Sequence, residues 1–154
     1  MIFTLSVTSK LAEAPMEVWH RVNTLAGVNT ELMPLLKMTA PNGKERLPFT
    51  QVPLQQPLFA SWLLLFGIFP FDRHQLQFDQ VWEGGFRENS KSLVHRAWRH
   101  DRTIVSTDAG CTLIDSLQFE PRIPLFGYIL LPTVRYVFRH RHRRLLQLFG
   151  ALGK

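Results

Sequence analysis

Cysteine is nearly absent from this chain, because Cys111 is the only one among its 154 residues. A disulfide within the chain is therefore excluded, and a lone thiol is typical of a reducing compartment. The N-terminal segment also lacks the cationic head and the small-residue cleavage site of a secretory signal. We therefore expect a cytoplasmic location.

Long apolar runs are scarce as well. The most apolar segment, residues 58–71, is fourteen residues long and contains Gly67 and Pro70. A membrane-spanning helix needs about 20 apolar residues, so this segment is predicted to be a buried strand. The length of the chain fits one domain, residues 1–154.

The usual cofactor and metal motifs are missing. No phosphate-binding glycine loop or dinucleotide fingerprint occurs. His140 and His142 are two positions apart, which on a helix directs their rings to different faces, and a zinc site needs three or four converging ligands. We therefore expect no cofactor and no metal, and we expect Cys111 to be a small buried hydrophobe.

Acidic residues are absent from the last twenty positions. Residues 1–134 contain twelve cations and twelve acids, so the net charge of +6 lies on residues 135–154. An apolar stripe predicts an amphipathic helix from about Pro132, interrupted by an inward Arg141, with His142 outward. The outward cations form either a solvated face or a surface for transient contact with anionic membrane; nucleic-acid binding is not expected, because exposed aromatic residues do not accompany them.

Alternation and turn residues predict the element order β-α-α-β-β-β-β-β-α. The first strand covers residues 2–8, a helix begins at Pro15 and ends at Gly27, and a second helix covers residues 29–36 with Asn29 or Thr30 as its cap. Four prolines predict an irregular loop over residues 41–57, which we place near a cavity mouth. The later strands are predicted at residues 59–66, 74–82, 86–90, 94–105 and 111–120.

Turn positions predict how the last three strands pair. A turn at residues 107–110 puts Arg102 opposite Asp115, His100 opposite Leu117 and Trp98 opposite Phe119. A turn near residues 91–93 puts Glu88 opposite Arg96 and Phe86 opposite Trp98. Alternation places the side chains of these strands on two faces. One face, which includes His95, is almost wholly polar and is predicted to be exposed to solvent. The row of side chains on the other face is therefore predicted to face inward. Its members are Phe86, Glu88, Ser90, Arg96, Trp98, His100, Arg102, Cys111, Leu113, Asp115, Leu117 and Phe119.

This row would bury two ion pairs, Glu88–Arg96 and Arg102–Asp115. Buried charges are tolerated when they are paired. The pairs are either polar anchors for a ligand in an apolar pocket or internal salt bridges that hold the strands together. His100 has two interpretations as well: a general base for an enolisable substrate, or a histidine held by hydrogen bonds in the sheet.

The strand pair and the terminal helix carry a family resemblance. The segments Arg96-x-Trp98-x-His100-x-Arg102, Gly110-Cys111-Thr112-x-x-Asp115 and Phe138-Arg139-His140-Arg141-His142 resemble the START/polyketide-cyclase (SRPBCC) superfamily. The resemblance implies an α+β helix-grip fold: a curved antiparallel sheet wrapped around a long C-terminal helix, with two short helices after the first strand and a ligand tunnel between sheet and helix. The irregular segment 41–57 departs from the family, since it replaces a clear second strand.

The resemblance implies a carrier or sensor of a hydrophobic or amphipathic small molecule, such as a lipid or polyketide. The alternative is a cyclase or dehydratase with His100 and Glu88 as acid and base, and a third option is an interaction module with a collapsed tunnel. The predicted ligand-binding residues are Glu88, Arg96, Trp98, His100, Arg102, Asp115, Leu117, Phe119, Phe138 and Arg141. The predicted apolar walls are Leu63, Leu65, Phe78, Trp82, Trp98, Leu113, Leu117, Phe119, Val134 and Phe138.

Overall fold

The computed structural model describes residues 1–151. Lys154, one of the cations counted in residues 135–154, lies outside them. Eight antiparallel strands form a curved sheet in the order β1-β8-β7-β6-β4-β3-β2, with β5 also pairing with β6. The strands are β1 Phe3–Leu11, β2 Leu36–Met38, β3 Phe59–Leu65, β4 Phe69–Leu76, β5 Phe78–Trp82, β6 Gly85–Ser92, β7 His95–Thr107 and β8 Gly110–Pro121. The helices are α1 Pro15–Val22, α2 Leu25–Leu32 and α3 Gly127–Phe149.

The predicted helix-grip fold is confirmed. Helix α3 packs against β1 and α2 across the concave side of the sheet, and the two short helices follow β1. α3 begins at Gly127, five residues before the predicted start, so that Pro132 lies inside the helix. One apolar core includes Trp19, Leu113 and Leu145, and a second gathers around Phe119.

The boundary between the first two helices differs from the prediction. α1 ends at Val22, and α2 begins at Leu25 with the Thr24 hydroxyl accepting a hydrogen bond from the Gly27 amide at 3.0 Å. A Cβ atom at Gly27 would lie 2.1 Å from the Arg21 carbonyl oxygen, so this glycine permits the close approach of α1 to α2. Gly27 therefore lies inside the second helix instead of ending the first, and the predicted caps at residues 29 and 30 are wrong.

The irregular segment 41–57 is confirmed as a loop, since it contains only two short 3-10 turns, Lys44–Arg46 and Phe49–Gln51. Phe49 is buried, and its amide donates to the Asn23 carbonyl at 2.8 Å. Before this loop, β2 pairs with β3 and provides the second strand that the sequence did not show.

Strands β3 and β4 form a hairpin with a tight turn. Phe66 and Gly67 both have positive φ, 55° and 75°, at the centre of the turn, a combination typical of a type I′ hairpin. The single strand predicted at residues 74–82 is instead β4 and β5, which are interrupted at Gln77 and both pair with β6.

The predicted register of β7 with β8 is confirmed, because Arg102 pairs with Asp115, and His100 and Trp98 pair with the partners expected above. The register of β6 with β7 is wrong by four residues: Glu88 lies opposite His100 and Phe86 opposite Arg102. The turn lies farther along the chain than predicted, but a shift by an even number leaves each side chain on the predicted face.

A β-bulge at the start of β7 reverses two predicted orientations. The pairing with β8 shifts between His95 and Ala97, which inserts one extra residue into β7. His95 is therefore buried, 7% exposed, whereas the Arg96 side chain is 63% exposed and lies 3.5 Å from Glu120. The predicted inward Arg96 and its pair with Glu88 are both wrong.

Candidate functional site

A cavity of about 390 Å³ lies between the sheet and α3. Its wall is made by side chains of α2, α3 and strands β2 to β7, together with Phe49 from the loop. Most of these side chains are apolar, among them Leu76, Phe78, Trp98 and Val134. The sheet curvature that holds the strands away from α3 therefore leaves a hollow with apolar walls.

The cavity opens between the β3–β4 hairpin and the first half of α3. Four lining side chains are also exposed to solvent: Leu65 and Phe71 on the hairpin, and Thr133 and Tyr136 on α3. Because these side chains border both the cavity and the solvent, they mark the mouth. Phe49 is the cavity-lining residue of loop 41–57 and is buried, 4% exposed. The loop thus forms part of the wall, and its predicted place at the mouth is wrong.

Six of the ten predicted wall residues line the cavity: Leu63, Leu65, Phe78, Trp98, Val134 and Phe138. Leu113, Leu117 and Phe119 are buried in the cores and do not line it. Trp82 is 40% exposed, since an irregularity between Phe78 and Gln80 reverses the alternation of β5. Hydrophobic patterning identified inward residues but did not separate the wall from the filled core.

The predicted polar anchors divide into two groups. Glu88, His100 and Arg141 line the cavity, whereas Arg102 and Asp115 lie behind its wall with 0% exposure. Of the predicted aromatic contacts, Trp98 and Phe138 line the cavity.

The charges behind the wall form a closed cluster around Arg102. Its guanidinium donates to both carboxylate oxygens of Glu31, at 2.9 and 2.7 Å, and to both oxygens of Asp115, at 2.8 Å each. Burial alone would raise the pKa of both carboxyl groups, but the adjacent guanidinium outweighs burial and lowers the pKa of Glu31 and, more strongly, that of Asp115. Arg102 thus joins two ionised acids in the interior.

His100 connects this cluster with the cavity wall. Its Nε2 lies 2.7 Å from Asp115 Oδ1, and its Nδ1 lies 3.5 Å from Glu88 Oε2. Burial lowers the pKa of His100, but the two carboxylates outweigh it and raise the pKa; the imidazole contacts in turn overcome burial and hold the pKa of Glu88 well below its usual value. Because an ionised carboxylate only accepts hydrogen bonds, His100 Nε2 donates to Asp115 Oδ1, and the raised pKa favours the protonated ring beside Glu88.

The ion network around Arg102 and His100 contains three anions and three cations, and the buried carboxyl group of Asp72 lies outside it. The anions are Glu31, Glu88 and Asp115, and the cations are Arg102, Arg141 and a protonated His100. Such a neutral set avoids the cost of several kcal/mol that an unpaired buried ion carries.

Two further histidines complete the network. His74 Nε2 lies 2.6 Å from Glu88 Oε1, which also accepts from the Ser90 hydroxyl at 2.8 Å. His142 Nε2 lies 2.8 Å from Asp115 Oδ2, and its Nδ1 lies 2.6 Å from the Ser9 hydroxyl. His142, predicted to point outward, is therefore buried and ties α3 to β1 and β8.

His95 has a fully buried ring nitrogen without a partner. Its Nδ1 lies 3.2 Å from the Ser92 hydroxyl and 4.0 Å from Asp72 Oδ2, while its Nε2 has no hydrogen-bonding partner in residues 1–151. Burial lowers the pKa of His95 to about 4, so the ring is neutral at pH 7. The ring itself lines the cavity and packs against Trp98 at 5.0 Å between centroids.

Sequence reasoning missed Glu31, His74, His95 and His142. Glu31 could have been found from a helix starting at Thr24, which turns this side chain inward. His74 follows from the alternation of buried Asp72, His74 and Leu76 along β4. The bulge that turns His95 inward leaves no signal in the local sequence.

A family model described as a domain of unknown function, DUF8410, matches residues 9–149. The chain belongs to the DUF8410 family. No functionally curated protein matches this DUF8410 sequence.

Solved structures share the fold of this DUF8410 chain at low sequence identity. Protein CV1439 from Chromobacterium violaceum is 12% identical, with a TM-score of 0.66 and coverage of 96% of this chain and 97% of that one. Ara h 8.0201 is 9% identical, with a TM-score of 0.60 and coverage of 96% and 99%. The di-domain ARO/CYC StfQ from the steffimycin biosynthetic pathway is 10% identical, with a TM-score of 0.63 and coverage of 97% and 51%.

Two negative observations apply to the described part of the DUF8410 chain. None of its helices combines the length and apolar character that crossing a bilayer requires. Within residues 1–151, no three His, Cys, Asp or Glu side chains are grouped so that they could hold a metal ion.

Proposed function

We propose that this DUF8410 protein binds a hydrophobic or amphipathic small molecule, such as a lipid or polyketide, as a carrier or sensor. The supporting observation is the apolar cavity of about 390 Å³ with a mouth between the β3–β4 hairpin and α3. Small-molecule sites commonly have volumes of about 300–1,000 Å³, apolar walls and a few polar groups. The ARO/CYC assignment of StfQ adds polyketide-like molecules to the proposal by analogy of fold alone.

An enzyme of the cyclase or dehydratase class is the alternative. The titratable side chains of Glu88, His74 and His100 line the cavity, which is the observation in its favour. The contacts are against it: His100 lies between the carboxylates of Asp115 and Glu88, at 2.7 and 3.5 Å, and Glu88 Oε1 accepts from His74 and Ser90. A general base needs an open lone pair within reach of the substrate, so the arrangement favours binding over proton abstraction.

The cavity proposal predicts that Trp98→Arg weakens the binding of an apolar fluorescent probe, such as N-phenylnaphthylamine, by more than about tenfold. The substitution places an unpaired charge in the apolar wall, which costs several kcal/mol and draws water into the cavity. Fluorescence titration measures the affinity, and circular dichroism checks that the fold is retained.

Trp62→Arg is the matched control, because Trp62 lies on β3, is 41% exposed and does not line the cavity. We expect the control to bind the probe as the original protein does. Equal affinities of the Trp98 and Trp62 variants would contradict a cavity that holds the probe.

We also propose transient contact of the cavity mouth with an anionic membrane. The apolar side chains that flank the mouth are widely exposed: Phe66, Ile68 and Phe69 on the hairpin at 58, 70 and 60%, and Tyr128 and Ile129 on α3 at 62 and 66%. Exposed cations follow on α3 at Arg135, Arg139 and Arg143. Apolar insertion combined with positive charge is typical of binding to an anionic bilayer surface.

Replacing both Phe66 and Ile68 with asparagine should reduce binding to vesicles that contain phosphatidylserine by about tenfold, because roughly two apolar side chains leave the interface. Asparagine tolerates the positive φ of position 66, so the turn is retained. Vesicle co-sedimentation measures the loss. The control is Val105→Asn, because Val105 is exposed and lies near the C-terminal end of β7. Equal loss of binding in the control, or no loss in the hairpin variant, would contradict the proposal.

A further inference from the structure

Arg141 has hydrogen-bond donors that the protein does not use. Its Nε donates to Glu31 Oε1 at 3.2 Å, and its Nη2, at the same distance from this oxygen, makes no hydrogen bond with any described residue. Glu31 Oε1 has no further lone pair for Nη2, because it already accepts from Arg102 Nη2 and from Arg141 Nε. The Arg141 side chain is 7% exposed, lines the cavity and lies over the Phe138 ring at 4.7 Å.

His95 provides a second unused donor in the same wall. The Ser92 hydroxyl oxygen accepts from the backbone amides of Val94 and His95, at 3.2 and 2.9 Å, so its own proton points toward His95 Nδ1. Nδ1 is then the acceptor of the neutral ring, and the ring proton is on Nε2. This N–H group is buried and has no partner among residues 1–151.

The carboxylates of the wall, in contrast, already have donors at one oxygen each. Glu88 Oε1 accepts from His74 and Ser90, and its Oε2 faces His100. Asp72 Oδ1 accepts from the amides of Arg73 and Val94, at 2.9 and 3.2 Å. The fully buried side-chain polar atoms of the wall that lack a partner within residues 1–151 are therefore both donors, Arg141 Nη2 and His95 Nε2.

A row of aromatic rings connects the two donors. The ring centroids of His95 and Trp98 are 5.0 Å apart, and those of Trp98 and Phe138 are 6.3 Å apart. The Arg141 guanidinium lies over the Phe138 ring. A ligand that follows this row meets a donor at each end and apolar faces between them. A ligand carboxylate at the His95 end would meet a neutral imidazole beside the Asp72 carboxyl group, and one at the Arg141 end would meet a guanidinium already paired with Glu31, so an uncharged oxygen is favoured.

We propose that the ligand is an uncharged apolar molecule with a carbonyl-type oxygen at each end, one accepting from Arg141 and the other from His95. This proposal rests on the proposed function, because it names the ligand chemistry of the same cavity. It explains why the protein leaves these two buried donors unpaired, since each unpaired donor carries a desolvation cost that a ligand oxygen would remove.

The test uses two biphenyls of nearly the same shape, one with an acetyl group at each end and one with an ethyl group at each end, as competitors of the fluorescent probe. We expect the diacetyl compound to bind at least about tenfold more tightly, because each carbonyl gains one buried hydrogen bond. Equal affinities of the two compounds would overturn the proposal while leaving hydrophobic binding intact. Failure of both compounds to displace a bound probe would overturn it too, and failure of the probe itself to bind would overturn the proposed function as well.

Two variants assign the ends. His95→Phe keeps the ring shape but removes the Nε2 donor, and Arg141→Lys keeps a cation beside Glu31 but removes the guanidinium donors. Each should reduce the preference for the diacetyl compound by at least about threefold and leave the affinity for the diethyl compound unchanged. Arg143→Lys, on the exposed face of α3, should change neither affinity. An undiminished preference in both the His95 and Arg141 variants would assign the carbonyls elsewhere and overturn the proposal.

Discussion

Replacing Arg102 with methionine should lower the free energy of unfolding by about 3–5 kcal/mol, enough to unfold many domains of this size. The guanidinium makes four hydrogen bonds to two fully buried carboxylates, and methionine leaves Glu31 and Asp115 with fewer donors and an unbalanced charge. Urea denaturation at pH 7, followed by tryptophan fluorescence, measures the difference.

Arg99→Met is the matched control for this prediction. Arg99 lies on the same strand, its side chain is 43% exposed, and its ion pair with Asp101 at 3.4 Å faces solvent. Exposed pairs typically contribute less than about 1 kcal/mol. Combining Arg102→Met with Glu31→Gln should restore part of the lost stability, because one unpaired charge is removed. Equal costs of the Arg102 and Arg99 substitutions would show that the cluster does not stabilise the fold.

The buried charges were predicted to be either ligand anchors or internal salt bridges. Their positions in the structure decide between these two roles separately for Arg102 and for Arg141. Arg102, Asp115 and Glu31 lie behind the wall, where they join β7 and β8 to α2, so theirs is the role of internal salt bridges. Arg141 joins α3 to the same Glu31 but also lines the cavity. The same network that fixes α3 against the sheet thus sets the position of a donor in the wall.

The sequence predicted the strands best where a turn fixes the register. The turn before Gly110 leaves one pairing for β7 and β8, and alternation then places Trp98, His100 and Arg102 on the inner face. The next pairing failed by four residues because Ser92, Leu93 and Val94 give no comparable turn signal. Face assignment survived that error, since it depends only on parity.

The remaining errors have local geometric causes. A bulge adds one residue to β7 and exchanges the orientations of His95 and Arg96, and no residue preference marks its position. Glu31 was missed because α2 was predicted to start at position 29, although the Thr24 cap starts it earlier. The boundary between cavity wall and filled core depends on the curvature of the sheet, which alternation does not encode.

The free energy of unfolding should be greatest near pH 6.5 and should fall on both sides. On the acid side the cause is His95, whose pKa is lowered by burial from 6.5 to about 4. A depressed pKa contributes stability that is complete above pH 6.5 and is lost as the pH falls to 4, a loss of up to about 3 kcal/mol. Below about pH 4.5 the lowered pKa values of Glu31, Glu88 and Asp115 add to this loss as these acids take up protons on unfolding.

On the alkaline side the cause is His100, whose pKa is raised by Asp115 and Glu88 against the effect of burial. A raised pKa contributes stability that is complete below pH 6.5 and is lost as the pH rises through the folded-state value.

Urea denaturation between pH 4 and pH 9 should therefore give a bell-shaped profile. His95→Asn should flatten the arm between pH 6.5 and about pH 4.5, and His100→Asn should flatten the arm above pH 6.5, whereas His20→Asn, on the exposed face of α1, should change neither. A loss of stability between pH 6.5 and about pH 4.5 that persists in the His95 variant would contradict a neutral buried His95, and with it the tautomer that leaves an Nε2 donor for a ligand oxygen.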